Sequence, residues 1–386
     1  MNTKKSIAFI TFATLPLPAV RGGAVETLID NICNQNEEDN SLHIDVYSIF
    51  DEDAIAAASC FKNTNYIYYY GSKNKRFSFK NIIFKVTGIS IPDKTMKSIV
   101  KKINAKNYDA IYITSIFREL YYIVKMIKNK VVWYLHADAL TVLPSKTCKK
   151  IGDKCAAIVS VSDFVGNQIK ECGCRVPVYT VKNCADICPI NKSDRKKVRK
   201  DFLRKHGIPV DNNIFLYVGR INPIKGIKEL VKAFLAVDIK NISLIIAGEP
   251  QNPIEREYLE SIKTIADARV VFIGYVKHSE LPNVYNACDV LVVPSICNEA
   301  AGLVILEAQM CGKYIIATNR GGIPEYVTNQ ASLIDTDNNF EDNLMEAMKN
   351  FIHSQRGKNI EEFIVRTQRE LYVDFISTLN KIIEIE

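Results

Sequence analysis

Two glutamates, Glu299 and Glu307, frame a glycine, Gly302, at the predicted start of a helix within Pro294–Tyr326, PSICNEAAGLVILEAQMCGKYIIATNRGGIPEY. A carboxylate accepts hydrogen bonds from sugar hydroxyls, and its two oxygens suit a vicinal diol. The N–H groups around Ala301, Gly302 and Leu303 begin the helix and can meet a phosphate. The spacing therefore aims two carboxylates and a helix N-terminus at one small volume. The bland alternative is a capping glutamate followed by an exposed one.

Two further loops carry groups of the same kind. Gly219-Arg220-Ile-Asn-Pro-Ile-Lys225-Gly226 lies after an apolar strand and before a helical pattern. Arg220 and Lys225 are cations at a helix N-terminus, where the macrodipole favours anions. A diphosphate would relieve that conflict, with arginine able to bond two oxygens at once. The alternative is a solvated turn. Arg21-Gly22-Gly23-Ala24-Val25-Glu26 follows the first apolar run. Its paired glycines would let a ligand approach the backbone, although such pairs also serve plain tight turns. No phosphate-loop G-x(4)-G-K-[ST], G-x-S-x-G or H-E-x-x-H string occurs, so the chemistry of those motifs is not indicated. Two D-x-D strings, Asp51-Glu-Asp53 and Asp335-Thr-Asp337, read as surface turns, and no metal is implied.

These loops must be held by strands. Ser6–Phe12, His43–Phe50, Tyr66–Tyr70, Ala110–Thr114, Val131–Leu135 and Ala157–Val161 are short apolar runs, with a helical pattern over Ala24–Asn34. The plan repeats at Ile214–Val218, Leu244–Ala247, Val270–Ile273, Val290–Val293 and Tyr314–Ala317, with helices over Ile227–Ala236 and Leu303–Cys311. Buried strands alternating with helices predict parallel sheets covered on both faces. The expected fold is α/β, two doubly wound Rossmann-like domains facing across a cleft. The expected division is 1–190, 191–365 and a C-terminal helix, 366–386, crossing back to the first domain. A linker helix is predicted within Asn191–His206.

Composition sets outer bounds. The 386 residues are 47% hydrophobic and 24% charged, which suits a globular protein of two domains. No apolar run approaches the ~20 residues that cross a bilayer, and MNTKKSIAFITF reads as a first strand and not an export signal. Eleven cysteines, six of them between Cys148 and Cys188, lack paired C-x2-C hooks and are expected to be reduced thiols in a cytoplasmic protein. Charge is uneven. Residues 1–186 hold 25 Lys+Arg and 17 Asp+Glu, and 187–386 hold 25 and 26. Within 62–106 there are 11 basic residues and one acid, Asp93, interleaved with tyrosines and phenylalanines. That mixture suits an anionic membrane surface or a lipid-linked acceptor. A solvated face and, less well, nucleic acid are the alternatives.

The glutamate pair resembles the E-x7-E signature of retaining nucleotide-sugar glycosyltransferases, family 4 of the GT-B fold. VGRINPIKGIKELVKAF and VFIGYVKHSELPNVYNACDVLVVPS are similar to the same family, and the early Gly22-Gly23 loop, WYLHADAL with His136, and SVSDFVGNQI match more loosely. The resemblance implies that Arg220 and Lys225 stabilise a leaving diphosphate. It also implies that Glu299 contacts the donor sugar, Glu307 the ribose, and that Gly23 lies near the phosphates and acceptor. It puts His136 close to the reacting centre and the base near Tyr275 and Val276. The chain departs from the family at Glu299-Ala-Ala-Gly302, where an aromatic is usual, at Asn183-Cys-Ala-Asp186 and at Gly248-Glu-Pro250.

The function so implied is hexose transfer from a nucleotide-sugar, UDP-linked by family frequency, to a hydroxyl of a glycan or lipid-linked acceptor. The expected setting is bacterial surface polysaccharide or glycolipid synthesis, in the cytoplasm or on the inner face of the membrane. No cofactor beyond the substrate is expected. A GT-B epimerase, a phosphorylase or an inactive partner protein are the competing readings. The basic segment yields a first test. Neutralising Lys73, Lys75, Arg76 and Lys80 is expected to weaken binding to anionic liposomes in a salt-sensitive way; equal binding of both proteins would leave the solvated face.

Overall fold

Short runs rich in isoleucine, valine and leucine, buried on both faces, assemble into two parallel sheets. The computed structural model describes residues 4–12, 15–70, 92–117, 119–328, 330–354 and 365–385. The chain forms two units, residues 1–184 with 367–386, and residues 185–366.

In the first unit the strands are β1 (Lys5–Ile10), β2 (Leu42–Ile49), β3 (Thr64–Tyr69), β4 (Ala110–Ile113), β5 (Val131–Leu135), β6 (Ala157–Ser160) and β7 (Val178–Thr180). They lie in the order β3-β2-β1-β4-β5-β6-β7, all parallel. Between them run α1 (Ala24–Asp39), α2 (Glu52–Ala58), α3 (Lys94–Asn104), α4 (Leu120–Met126), α5 (Ser145–Gly152) and α6 (Asp163–Glu171). Helix α1 extends past the predicted Asn34. Its polar end is held because the buried Asn36 side chain accepts from Leu42 N at 2.9 Å and donates to Leu42 O at 3.2 Å. Asn40 then closes the helix in the left-handed conformation.

The second unit contains β8 (Asn213–Val218), β9 (Ile242–Ala247), β10 (Val270–Gly274), β11 (Val290–Val293), β12 (Tyr314–Thr318) and β13 (Ala331–Ile334). Their order is β10-β9-β8-β11-β12-β13, again all parallel. Its helices are α7 (Arg195–Lys205), α8 (Ile227–Leu235), α9 (Pro253–Lys263), α10 (Leu281–Ala287), α11 (Leu303–Met310) and α12 (Phe340–Ser354). Helix α8 buries Ile227, Leu230, Val231, Ala233 and Phe234 against one sheet face. Strands β7 and β13 were not apparent from sequence. Each lies at a sheet edge and is only partly buried, so neither shows a continuous apolar run.

Strand order reverses between β1 and β4 and between β8 and β11. Loops leaving such neighbours diverge to opposite faces and open a crevice at the carboxyl ends of the strands. The last helix, α13 (Gln368–Ile383), belongs to the first unit and starts with a Thr367–Glu370 capping box. Phe375 stacks on Phe9 at 5.8 Å and lies 5.1 Å from Tyr112. Tyr372 Oη donates to Asn36 Oδ1 at 2.9 Å. Phe375→Ala is expected to lower stability by about 3–5 kcal/mol, read from the denaturant midpoint; a change below about 1 kcal/mol would mean that α13 does not complete the core.

Candidate active site

The site of the second unit is built on backbone contacts between neighbouring loops. After β8 the chain enters Gly219 at φ 152, and Tyr217 Oη donates to Arg220 O at 2.8 Å. The Asn222 side chain accepts from Ile224 N at 3.1 Å and starts a 3₁₀ turn, Pro223–Lys225. Gly226, at φ 66, ends that turn and begins α8. A Cβ at Gly226 would sit 2.0 Å from the Pro294 carbonyl oxygen, so the residue is glycine for two reasons. The Ile224 carbonyl accepts from Ile296 N at 2.9 Å and Cys297 N at 3.2 Å. On the other side of the β11 loop, Gly322 N donates to Glu299 O at 2.7 Å, and Thr318 Oγ1 donates to Ser295 O at 2.8 Å. The loops after β8, β11 and β12 are thus tied together.

These ties bring the side chains into register. Lys225 Nζ and Ser295 Oγ both donate to Glu299 Oε1, at 2.5 and 2.6 Å. Arg220 Nε lies 3.6 Å from Glu255 Oε1, and its Nη1 lies 3.3 Å from Gln251 Oε1. Burial opposes the Glu255 charge, but the Gln251 amide, the Asn222 side chain and Arg220 outweigh it and lower its pKa. Both cations therefore already have carboxylate partners. The diphosphate expected from sequence is therefore not needed to explain two cations at this helix start: the fold supplies anions, and any phosphate must share the cations with them.

Glu307 is buried near the first turn of α11. Its Oε2 accepts from Tyr285 Oη at 2.6 Å, and its Oε1 lies 3.7 Å from His278 Nε2. That contact raises the His278 pKa; burial opposes the shift and Asp186 adds to it. Gly302 is the N-cap of α11 with no side-chain cap, and a Cβ there would meet Ile305 Cδ1 at 2.6 Å. Ala301 and Leu303 pack with Ala185, Leu306, Tyr326 and Val365. Tyr275 is 60% exposed just after β10, while Val276 packs toward the core.

Gly22, Gly23 and His136 belong to the first unit. Gly22 is at φ 70 in open space, whereas a Cβ at Gly23, φ 110, would meet Glu26 Oε2 at 2.2 Å. Glu26 is buried, and that burial raises its pKa. His136 follows β5 with its ring 4.2 Å from that of Tyr134. Burial pushes its pKa down to about 3, and Nε2 has no hydrogen-bond partner among the described residues. The imidazole is neutral at physiological pH.

Ser295, Tyr285, His278 and Glu255 escaped the sequence reading as site residues. His278 and Tyr285 lie in the quoted VKHSELPNVYNACD run, but neither was given a role. Glu255 follows Asn252-Pro253, a helix-start signal. Of the D-x-D strings, Asp51 caps α2 by accepting from Ala54 N at 3.1 Å, and the carboxylates of Asp51 and Asp53 both pair with Arg21. Asp337 pairs with Arg320. Among the described residues no group of three His, Cys, Asp or Glu is placed to hold a metal. None of the eleven cysteines, all of them described residues, is in a disulfide.

Residues 198–369 match the family model for glycosyl transferases group 1. A putative glycosyltransferase of Bacillus subtilis, YtcC, is 26% identical over 84% of this chain and 78% of its own. The lipopolysaccharide 1,2-N-acetylglucosaminetransferase of Salmonella typhimurium is 31% identical over 46% of this chain and 48% of its own. HepE of Anabaena, solved in complex with UDP-glucose, has 18% identity and a TM-score of 0.74 over 97% of this chain and 99% of that one. Sucrose-phosphate synthase of Thermosynechococcus elongatus aligns with a TM-score of 0.68 and 18% identity over 98% and 96%. The fold is GT-B, with two Rossmann-like domains. Together the findings support a glycosyltransferase of the group 1, GT-B type.

The loop ties generate a paired test. Gly22→Ala is expected to cost about 1–2 kcal/mol, from left-handed backbone alone. Gly226→Ala should cost clearly more, because its methyl also strikes the Pro294 carbonyl. Equal denaturation midpoints for the two variants would show that the β8 and β11 loops are not rigidly joined.

Proposed function

We propose that the protein is a retaining, metal-independent glycosyltransferase of family 4. It moves a hexose from a nucleotide-sugar, UDP-linked, to a hydroxyl of a glycan or lipid-linked acceptor in bacterial surface polysaccharide or glycolipid synthesis. The observation that carries the reading is the convergence of Lys225 and Ser295 on one oxygen of Glu299 at the carboxyl end of β11, with Arg220 held beside the neighbouring loop. The group 1 match spans all these residues and Glu307. The Salmonella relative's name and the UDP-glucose complex of HepE support the donor class.

In this reading Glu299 takes hydroxyls of the transferred sugar and Glu307 those of the ribose, near Tyr275 and Val276. Gly22, Gly23 and His136 keep the roles that the family resemblance implies. Breaking the glycosidic bond puts negative charge on the diphosphate. Arg220, Lys225 and the N–H groups of Ala301, Gly302 and Leu303 meet that charge as preorganised donors. No nucleophile is assigned to the anomeric carbon, so the acceptor hydroxyl attacks from the leaving-group face and the departing phosphate takes its proton. The anomeric configuration is then retained.

Membrane contact through the basic region 62–106 is part of the proposal, although residues 71–91 lie outside the described residues. Among the described residues no helix is long and apolar enough to cross a membrane.

Lys225→Ala and Arg220→Ala are each expected to lower kcat about 10²- to 10³-fold, with wild-type thermal stability within a few degrees. The wild-type product should keep the donor's anomeric configuration by NMR, with an unchanged rate in EDTA. An inverted product, or activity abolished by chelation, would remove the retaining or metal-independent part of the assignment. Glu307→Ala should weaken nucleotide binding, and unchanged affinity would remove its ribose role.

A further inference from the structure

The inference deepens the donor-site reading and rests on it. The two oxygens of Glu307 differ in their surroundings. Oε2 is engaged by Tyr285, a fully buried residue of α10 whose hydroxyl is 2.6 Å away. Oε1 has His278 at 3.7 Å, too far for a hydrogen bond but close enough for attraction once the imidazole is charged. His278 opens an exposed 3₁₀ turn, His278–Glu280, which Lys277 precedes and Glu280 ends. Asp186 acts on it from the chain before α7. Glu307 acts on Cys311, after α11, and both Cys311 and Cys288, after α10, act on Tyr285. Burial pushes these two thiols up to about 11 and about 12, so they stay neutral near pH 7. Histidine is the group in this set whose ordinary range lies near neutrality.

We propose that Tyr285 is a positioning residue that pins one oxygen of Glu307 so that the other is offered to a ribose hydroxyl, and that protonated His278 competes for the offered oxygen. Nucleotide affinity at this unit then depends on pH. A hydroxyl seated on Oε1 weakens the attraction that raises the His278 pKa, so binding releases a proton. Affinity therefore rises with pH and falls as His278 becomes charged. For a one-unit drop in the His278 pKa on binding, linkage gives about a three- to fivefold difference between about pH 6 and about pH 8.

Calorimetry with the full chain tests this, using UDP-glucose as the probe because its diphosphate diester carries no proton that titrates in this window. Wild type should bind about three- to fivefold tighter at about pH 8 than at about pH 6. His278→Gln should bind with little pH dependence. Tyr285→Phe should bind several-fold more weakly at both pH values while keeping the wild-type ratio between them. A probe lacking both ribose hydroxyls, 2′,3′-dideoxy-UDP-glucose, should bind wild type without the pH dependence; this arm needs no variant to fold. The same pH ratio in His278→Gln as in wild type, or in the dideoxy probe as in UDP-glucose, overturns the competition. Wild-type affinity in Tyr285→Phe overturns the positioning role. Absence of wild-type binding to UDP-, GDP- and ADP-glucose at every pH would sink the donor reading and this inference together. Firm but pH-independent binding would sink the inference alone.

Discussion

The Ile224 carbonyl is the contact on which the second unit's site depends. It takes amide hydrogens from Ile296 and Cys297, and this sets the Glu299 loop at a fixed height over the 3₁₀ turn that carries Lys225. The approach is so close that only a glycine fits at position 226. Once those backbones are locked, the 2.5 Å contact between Lys225 and Glu299 follows with little loss of side-chain freedom. A long lysine ordered by its own loop contributes more to a site than the same ion pair on an open surface, where entropy and screening cancel most of it. The doubly wound order supplies the other half, because β8 and β11 are neighbours at the reversal and their loops part there.

Electrostatics in this unit are organised in pairs and not as a field of one sign. Lys225 with Glu299, Arg220 with Glu255, and His278 with Glu307 each join a cation, or a group that becomes one, to a carboxylate on a different loop or helix. Neutral donors, Ser295, Asn222 and Tyr285, take further lone pairs of those carboxylates. Such pairing keeps charges in place without full neutralisation, so an arriving ligand meets oriented groups and does not have to gather them. The cost is competition, since each ligand oxygen or hydroxyl must share a partner that is already occupied.

Much of this was legible in the chain. The glycines at 219 and 226, the cations at 220 and 225 and Glu299 sit where a strand-to-helix loop must turn, Glu307 sits in the helix that follows, and eleven of the thirteen strands among the described residues declared themselves as buried apolar runs. What was hidden depends on tertiary contact. Tyr285 and His278 belong to a helix and a turn that look like ordinary core and surface, and only folding sets them against Glu307. Glu255 looks like a helix-cap residue and also holds Arg220. Strand β13 and strand β7 are short edges whose half-exposed pattern carries no period. The basic region was read for a partner, yet residues 71–91 fall outside the described residues.

The departure at Glu299-Ala-Ala-Gly302 concerns packing in the first instance. Ala301 contacts a small cluster formed by Ala185, Leu306, Tyr326 and Val365. Tyr326 is nearly fully buried there, at 5% exposure, and Val365 arrives from the far end of the unit. An aromatic at 301 would compete with these side chains for volume, and overpacking of that kind shifts backbone. The shift would fall on Gly302 and on the first turn of α11, which offers its N–H groups and leads directly into Glu307. A small residue at 301 and a buried tyrosine at 326 are therefore one solution to a single packing constraint, and the position of Glu307 relative to Glu299 depends on it.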